Sequence, residues 1–172
     1  MKKLKLTLLV FTSLTYLLPS CNSKVDGTIT QAHIDSLNKQ IETLSDTQKK
    51  IEANKNIVVE FYQKLFGDKD VSAIDKYLVE DYIQHNPIAP DGRQSLKNLL
   101  TDGFSKLPKS KVDFKKVAGD GDLVFLHIKT KNFSGKDASL IEIFRLKDSK
   151  IVEHWDIMQE VPEKSANPHP IF

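Results

Sequence analysis

The residues of this sequence that could carry chemistry concentrate near its C-terminus. His154 and Asp156 stand two positions apart in residues 150–160, where apolar and polar side chains alternate. Because successive side chains of a strand point to opposite faces, His154 and Asp156 are predicted to lie side by side. A partly buried carboxylate among apolar neighbours gains proton affinity, which suits a general base. The alternative is a purely structural His/Asp pair on a half-solvated sheet.

Two further polar residues interrupt apolar stripes on the preceding strands. Glu142 is flanked two residues away by Leu140 and Phe144, and His127 stands two residues after Phe125. A lone histidine in such a place is more often a satisfied core or rim residue. Several polar residues on successive strands favour a pocket, because a closed core would have to satisfy each of them separately.

A third group lies in residues 82–87, which we predict to be irregular because the segment ends in Asn86-Pro87. Loops on a rigid scaffold often carry catalytic groups, so His85, Asn86 and Tyr82 are candidates for the same pocket wall. The alternative is that Asn86-Pro87 simply makes a turn. Two histidines and a carboxylate could also bind a metal, but the sequence has no helical His spacing and no Cys/His knuckle, so no metal ligands are assigned. It also lacks a Gly-rich phosphate loop and a nucleophile elbow, which argues against phosphoryl and covalent acyl transfer.

The elements that must position these residues fall into two sets. Apolar spacings of three and four predict helices over residues 29–44, 45–66, 71–78 and 91–104, with a break before Gln48 at a second capping-box pattern. After Pro108 the period changes to two, which predicts strands over residues 111–118, 122–132, 138–146 and 150–160. Helices followed by a strand meander indicate an α+β fold, in which helices cover one face of a curved antiparallel sheet.

The first predicted helix is amphipathic. Its apolar residues are Ile34, Leu37, Ile41 and Leu44. They could face the domain, remain solvated, or pair with a second helix, although two heptads make only a short coiled-coil seam.

The N-terminus has the layout of an export signal. Lys2, Lys3 and Lys5 precede an apolar run over residues 6–18, which is too short to span a bilayer. Leu18-Pro19-Ser20-Cys21 is similar to a bacterial lipobox, with Pro19 as a departure. Residues 1–20 are therefore predicted to be a lipoprotein signal peptide, Cys21 the lipidation site, and residues 21–51 a tether with the amphipathic helix. The alternatives are an ordinary cleaved signal or a short buried helix. Lipidation would anchor the protein to a membrane of the bacterial cell envelope, with its soluble domain outside the cytoplasm.

Composition limits the remaining partners. The 172 residues are 40% hydrophobic and 28% charged, which fits one globular domain with appended sequence. The formal charge is +2, and without the three N-terminal lysines 22 basic residues face 23 acidic ones, a charge of −1. So balanced a surface argues against nucleic acid as a partner. A single cysteine allows no intrachain disulfide.

Two segments carry a resemblance to a known family. Tyr82-Ile-Gln-His-Asn-Pro87 and the segment from Glu142 to Asp156, in this order of helices and strands, resemble the SnoaL-like polyketide cyclases of the nuclear transport factor 2-like superfamily. The resemblance covers residues 52–172. It implies a cone-shaped α+β fold, with a curved antiparallel sheet packed on N-terminal helices around a hydrophobic cavity. It also implies an aldol-type reaction without metal or organic cofactor, with Asp156 as acid/base and His154 and His85 in support. Glu142 stands where the family usually has Asp.

Two hypotheses about function result. In the first, a cofactor-free lyase or isomerase uses Asp156 to remove a proton next to a carbonyl. His154 would orient Asp156, and His85, with Asn86 or Tyr82, would hydrogen-bond the enolate oxygen. In the second, a non-catalytic envelope module binds an apolar ligand or a protein partner. The expected partners are a small apolar or carbonyl-containing ligand, the membrane through the lipid anchor, and a second copy in a homodimer formed through the outer sheet face.

Overall fold

The computed structural model describes residues 29–132 and 134–172. The predicted signal peptide, Cys21 and the segment up to residue 28 lie outside the described residues. The helical elements are α1 (Gln31–Tyr62), a π-helical turn (Gln63–Gly67), α2 (Ser72–Tyr77) and α3 (Arg93–Phe104). The strands are β1 (Leu78–Gln84), β2 (Asp113–Asp120), β3 (Leu123–Lys131), β4 (Asp137–Lys147) and β5 (Lys150–Glu160). No helix among the described residues is long and apolar enough to cross a membrane.

The sheet is an open, curved, five-stranded layer with the strand order β1-β5-β4-β3-β2. Strands β2 to β5 form the predicted antiparallel meander. Strand β1 was not predicted, and it pairs parallel to β5, so the sheet is mixed rather than entirely antiparallel. The alternation in β1 is interrupted by a register shift after Leu78, which hides the period-two pattern that would identify a strand. The expected α+β architecture is therefore correct, with one parallel edge strand added.

Helix α1 runs without interruption through the predicted break. Thr30 caps its start, because the Thr30 hydroxyl accepts a hydrogen bond from the backbone N–H of His33 at 3.3 Å. At the predicted second start, Gln48 instead donates to the side chain of Glu52, one turn further along the helix. A capping box offers partners to helix-terminal N–H groups, but a continuous helix already satisfies them, and no Gly or Pro here forces an end.

The C-terminal part of α1 packs across one face of the sheet, called here the inner face. Val58 and Phe61 of this segment, and Leu65 of the π-helical turn that follows it, are almost completely buried. Phe61 meets the ring of Phe144 edge-on, with ring centroids 5.9 Å apart. On the sheet, the inner-face side chains alternate with those of the opposite, outer face. The inner-face residues of β3 and β4 include Val124, Leu126, Ile128, Ala138, Leu140, Glu142, Phe144 and Leu146.

A bulge in β5 changes one predicted face. Arg145 pairs with Glu153 and Leu146 with Ile151, which leaves Val152 without a partner opposite. Strict alternation through residues 150–160 would place Ile151 on the same face as Glu153, but the bulge breaks the alternation and Ile151 is fully buried. Beyond the bulge the alternation resumes, so His154 and Asp156 share the inner face, and Glu153 and Trp155 share the outer face.

Helix α1 lies so close to β2 at Gly119 that a side chain at this position would collide with the helix. A Cβ atom at Gly119 would lie 2.7 Å from Cγ2 of Ile51. We expect Gly119→Ala to lower the free energy of unfolding by about 1–3 kcal/mol through overpacking. The matched control is Gly103→Ala inside α3, where nothing lies within 4 Å of the new Cβ. That change should raise the free energy of unfolding by about 0.5–1 kcal/mol, because alanine loses less chain entropy than glycine in a helix. Urea denaturation measures both, and an unchanged midpoint for Gly119→Ala would contradict the close packing.

Candidate functional site

The inner face holds a buried carboxylate at its centre. Glu142 is 4% exposed, and each of its two carboxylate oxygens has a polar contact. Tyr62 of α1 donates its hydroxyl proton to Oε1 at 2.8 Å, and Oε2 contacts Nε2 of His154. Burying an ionised carboxylate is costly unless it is paired and hydrogen-bonded, so these two partners make its position tenable.

Hydrogen bonds around Gln84 fix the protonation pattern of His154. Oε1 of Gln84 accepts from the backbone N–H of Asn86 at 3.0 Å, which sets the orientation of the amide. The same oxygen lies 2.9 Å from Nδ1 of His154, so Nδ1 must carry a proton and donate it. The contact between Nε2 and Glu142 then holds a single proton, either on the imidazole or on the carboxyl group. The Glu142–His154 pair is thus a buried proton-sharing pair.

Asp156 stands next to this pair on the same face. Glu142 and Asp156 are directly opposite each other in the β4–β5 register, which places their Cβ atoms about 4.5–5.5 Å apart. Nδ2 of Asn86 lies 2.8 Å from both oxygens of Asp156 and donates to them. Oδ1 of Asn86 is itself fixed by the backbone N–H of Ile88. Asn86, and not His154, is therefore the residue that orients Asp156, contrary to the role predicted for His154.

Two tyrosines complete the inner cluster as protonated donors. Burial, with the charge of Glu142 and their hydrogen bond, raises the pKa of Tyr62 well above its usual value. Burial is also the main cause that raises the pKa of Tyr82, followed by the charges of Glu142 and Asp156. The oxygen of Tyr82 accepts from Nε2 of Gln84 at 3.2 Å. Within the described contacts, the Tyr82 hydroxyl proton has no assigned acceptor.

Burial is graded along the cluster. Tyr82, Glu142 and His154 are buried, whereas Asp156 and Asn86 are only partly buried. Asp156 is therefore partly exposed to solvent, whereas Glu142 is covered by Tyr62 of α1. Such an arrangement supplies an accessible carboxylate, a buried pair that shares a proton, and a phenolic donor, which are the components of acid/base chemistry.

His85 lies on the other side of the sheet. Its ring stacks on Trp155, with centroids 4.6 Å apart and planes 4° from parallel. Nε2 of His85 is 2.9 Å from Oε1 of Glu153, and this contact, followed by Arg145, lowers the pKa of Glu153. The prediction that His85 joins His154 and Asp156 is wrong, because residues 82–85 are extended and alternate. Tyr82 and Gln84 face inward, which turns His85 outward.

His127 is also separate from the inner cluster. In the β3–β4 register Leu126 pairs with Glu142 and His127 pairs with Ile141, which places His127 on the outer face. There Nε2 of His127 lies 2.8 Å from the hydroxyl oxygen of Ser139. The expectation that His127 and Glu142 line one hollow needs correction, since they occupy opposite faces. His127 is instead a satisfied polar residue of the outer sheet.

The outer face has an open, largely apolar cleft of about 360 Å³. Trp155 and Arg145 lie within it, with the guanidinium carbon 5.7 Å from the ring centroid. The other lining residues are His85, Leu123, Phe125, Ile143 and Ile157, and the cleft is also bordered by Asp156, whose side chain shares the inner face with Glu142. Among the described residues, no group of three or more His, Cys, Asp or Glu side chains is arranged to hold a metal ion.

Comparison with known proteins assigns the chain to a family. The model of the SnoaL-like polyketide cyclase family matches residues 56–164, which is most of the described domain. The chain belongs to this family. The match contains β1, the 82–87 segment and all the strands that carry the inner cluster. No curated protein matches the chain.

Solved structures similar to this SnoaL-like domain share its fold at low identity. TsrD from Streptomyces laurentii is 18% identical, covers 62% of this chain and 88% of its own, and has a TM-score of 0.51. An NTF2-like protein of unknown function from Mesorhizobium loti is 21% identical, with 64% and 93% covered and a TM-score of 0.52. A candidate ketosteroid isomerase from Kribbella flavida is 12% identical, with 68% and 85% covered and a TM-score of 0.53. At this identity the similarity shows the fold alone.

Two residues of the inner cluster in this SnoaL-like domain, Tyr62 and Gln84, were not predicted as site residues from the sequence. Tyr62 was predicted only as an apolar residue of a helix, because nothing local shows that its hydroxyl reaches Glu142, 80 residues later. The place of Gln84 in the cluster could have been predicted from the sequence. If residues 82–86 are read as extended, then Tyr82, Gln84 and Asn86 share one face and His85 takes the other.

Proposed function

We propose that this SnoaL-like domain is a cofactor-free acid/base enzyme that acts on a small carbonyl compound, as a lyase of the aldol type or an isomerase. The observation that carries the proposal is the accessible carboxylate of Asp156, held on both oxygens by Asn86 beside the buried Glu142–His154 pair. Tyr82 supplies a hydroxyl donor on the same face. The fold is shared with proteins described as polyketide cyclases and as a ketosteroid isomerase, which makes the reaction class a natural one for this site.

The proposed reaction begins when Asp156 takes the proton from the carbon next to the carbonyl. The C–H electron pair moves into the new C=C bond, and the carbonyl oxygen becomes an enolate stabilised by the Tyr82 hydroxyl. In an isomerase, Asp156 returns the proton to another carbon. In an aldol cyclisation, the enolate carbon attacks a second carbonyl of the same molecule, and the resulting alkoxide takes the proton.

The Glu142–His154 pair would act through the electrostatics and geometry of the site. With Nδ1 committed to Gln84 and Nε2 to Glu142, His154 has no ring nitrogen left for Asp156 or for a substrate. We therefore assign His154, Glu142 and Gln84 a positioning role, and keep the catalytic role for Asp156 and Tyr82. His85 takes no part in this mechanism.

The test of the proposal is α-proton chemistry on a defined probe. Cyclohex-3-en-1-one in D₂O exchanges its α-protons when a base removes them, and reprotonation at the γ carbon gives a conjugated enone that absorbs in the ultraviolet. We expect the full chain to accelerate deuterium uptake over the buffer rate, as followed by mass spectrometry. A panel of cyclic ketones that all exchange at the buffer rate would argue against the enzyme and for a binding module.

The tether is a separate part of the proposal. Cys21 at the end of a lipobox-like segment supports a lipid anchor that holds the domain at a membrane of the bacterial cell envelope, outside the cytoplasm. We expect Cys21→Ser to move the protein from the membrane fraction to the soluble fraction, because the acyl chains would be lost. Immunoblots of fractionated cells measure this, with Ser23→Ala as the matched control. Continued sedimentation of Cys21→Ser with membranes would contradict lipidation.

A second function is favoured by the outer cleft. An open apolar cleft built on Trp155, Phe125 and Ile143 suits a non-catalytic module that binds an apolar ligand or a protein partner. Homodimerisation would cover the same surface, with Trp155 near its centre. The exchange assay separates this function from the first, since a binding module would leave the probe unchanged.

A further inference from the structure

The N-terminal two-thirds of α1 projects away from the domain. All 20 residues from Gln31 to Lys50 are exposed, which corresponds to about 30 Å of helix in which no residue is buried against the described domain. The sequence left open whether this helix packs on the domain, remains solvated or pairs with a second helix. Its exposure excludes packing on the domain for the described residues. Because an amphipathic helix gains most of its stability from packing of its apolar face, a partner that covered this face would stabilise the arm.

The exposed arm carries an apolar seam with a heptad period. Ile34, Leu37, Ile41 and Leu44 follow spacings of three, four and three, and Ile41 and Leu44 are 64% and 69% exposed. With Ile34 at heptad position a, both a residues are isoleucine and both d residues are leucine. Isoleucine at a with leucine at d favours parallel two-stranded coiled coils over other assemblies.

The positions that flank the seam fit a second copy of the same chain. They are His33, Asn38, Gln40, Ser45 and Thr47, with no Asp, Glu, Lys or Arg among them, so two identical helices in register meet no like pair of these charged residues across the interface. The charged residues of this stretch, such as Asp35, Lys39 and Glu42, take positions b and f, which face water in a dimer. Interhelical charge pairs that would select a different partner are missing from the arm.

The exposed seam ends at the point where the domain begins to cover the same face of α1. The next d position is Ile51, which packs against Gly119 of β2, and Val58 one heptad later is fully buried in the core. The intervening a position is the polar Gln48. Beyond Ile41 the apolar stripe therefore continues along α1 at its d positions only. The domain covers its C-terminal part, and its N-terminal part lacks a cover within the described chain.

We propose that residues 31–48 pair with the same segment of a second copy to form a parallel two-stranded coiled coil. The 28 residues that precede the described chain join this helix at its N-terminal end. A parallel pair therefore sends both N-terminal segments out on one side and places the two domains at the opposite end. The seam is distinct from the outer sheet face and does not depend on the proposed enzyme activity.

Position-specific disulfide formation tests the pairing. In full-length protein carrying Cys21→Ser, purified in detergent, Leu37→Cys places the only cysteine at a d position. Under mild oxidation we expect a covalent dimer as the main species on non-reducing gels. Lys39→Cys is the matched control at position f, and it should remain mostly monomeric because its side chains point away from each other. Equal dimer yields at positions 37 and 39 would overturn the proposal.

The direction of the helices is tested with two further variants. Ile34→Cys and Leu44→Cys chains, one of them carrying a mass tag, are mixed after unfolding and refolding together. In a parallel pair, positions 34 and 44 are about 15 Å apart along the axis. We therefore expect disulfides to form mainly between two chains of the same variant and not between the two variants. A mixed 34–44 disulfide as the main product would show antiparallel helices and overturn the parallel arrangement.

Discussion

Asp156→Asn is expected to reduce proton exchange from the probe ketone by about 10²- to 10⁴-fold, because an amide cannot accept the α-proton. The change keeps the size of the side chain. One oxygen remains to accept from Nδ2 of Asn86, so the loop that holds position 156 should stay in place. The fall should appear in kcat rather than in KM, since the proton is transferred in the chemical step.

Two controls separate loss of the base from loss of the fold. Asp102→Asn removes a carboxylate from an exposed position of α3 and should leave exchange unchanged. Thermal unfolding of Asp156→Asn should match the parent protein within a few degrees. Exchange that persists in Asp156→Asn at the parental rate would remove Asp156 from the mechanism.

The success of the sequence analysis at this site came from period-two alternation. Alternation within β5 correctly placed His154 and Asp156 on one face, because strand side chains obey that rule wherever the ladder is regular. It failed at the bulge, since one extra residue at Val152 inverts the faces before it. The register between strands, which brings Glu142 opposite Asp156, depends on turn lengths and could be anticipated only in outline.

The segment 82–87 shows why the rest could not be predicted. Asn86-Pro87 indicated an irregular loop, and this concealed the extended stretch before it. Whether His85 points to the inner or the outer face depends on the pairing of β1 with β5, which is a parallel contact between segments about 70 residues apart. Tyr62 likewise joins the site only through the packing of α1 on the sheet. Local sequence contains no record of such long-range pairing, whereas the family resemblance supplied the fold as a whole.

The buried pair explains why a polar core can be tolerated next to an accessible base. Glu142 and His154 neutralise each other's cost of burial, and Phe144 stacks on the His154 ring at 4.7 Å. Hydrogen bonds then link this pair through Gln84 to Tyr82 and to the backbone of Asn86. A change at the pair should therefore alter stability strongly, and alter catalysis only through the placement of Tyr82 and Asn86.

His154→Leu is expected to lower the free energy of unfolding by about 3–5 kcal/mol, because it leaves the buried Glu142 carboxylate without its charged partner. Urea denaturation at one fixed protein concentration measures the change, with the slope of the transition checked for constancy. His127→Leu is the matched control on the outer face, where only a bond to Ser139 is lost, and should cost no more than about 1.5 kcal/mol.

A combined variant identifies the cause of that loss. Adding Glu142→Leu and Tyr62→Phe to His154→Leu removes the stranded carboxylate and the phenol that would otherwise lose its acceptor. Replacing a whole buried ion pair with apolar side chains is often neutral or stabilising, so the triple variant should recover most of the 3–5 kcal/mol. A triple variant as unstable as His154→Leu alone would show that packing against Phe144, rather than the unpaired charge, dominates the energetics of this core.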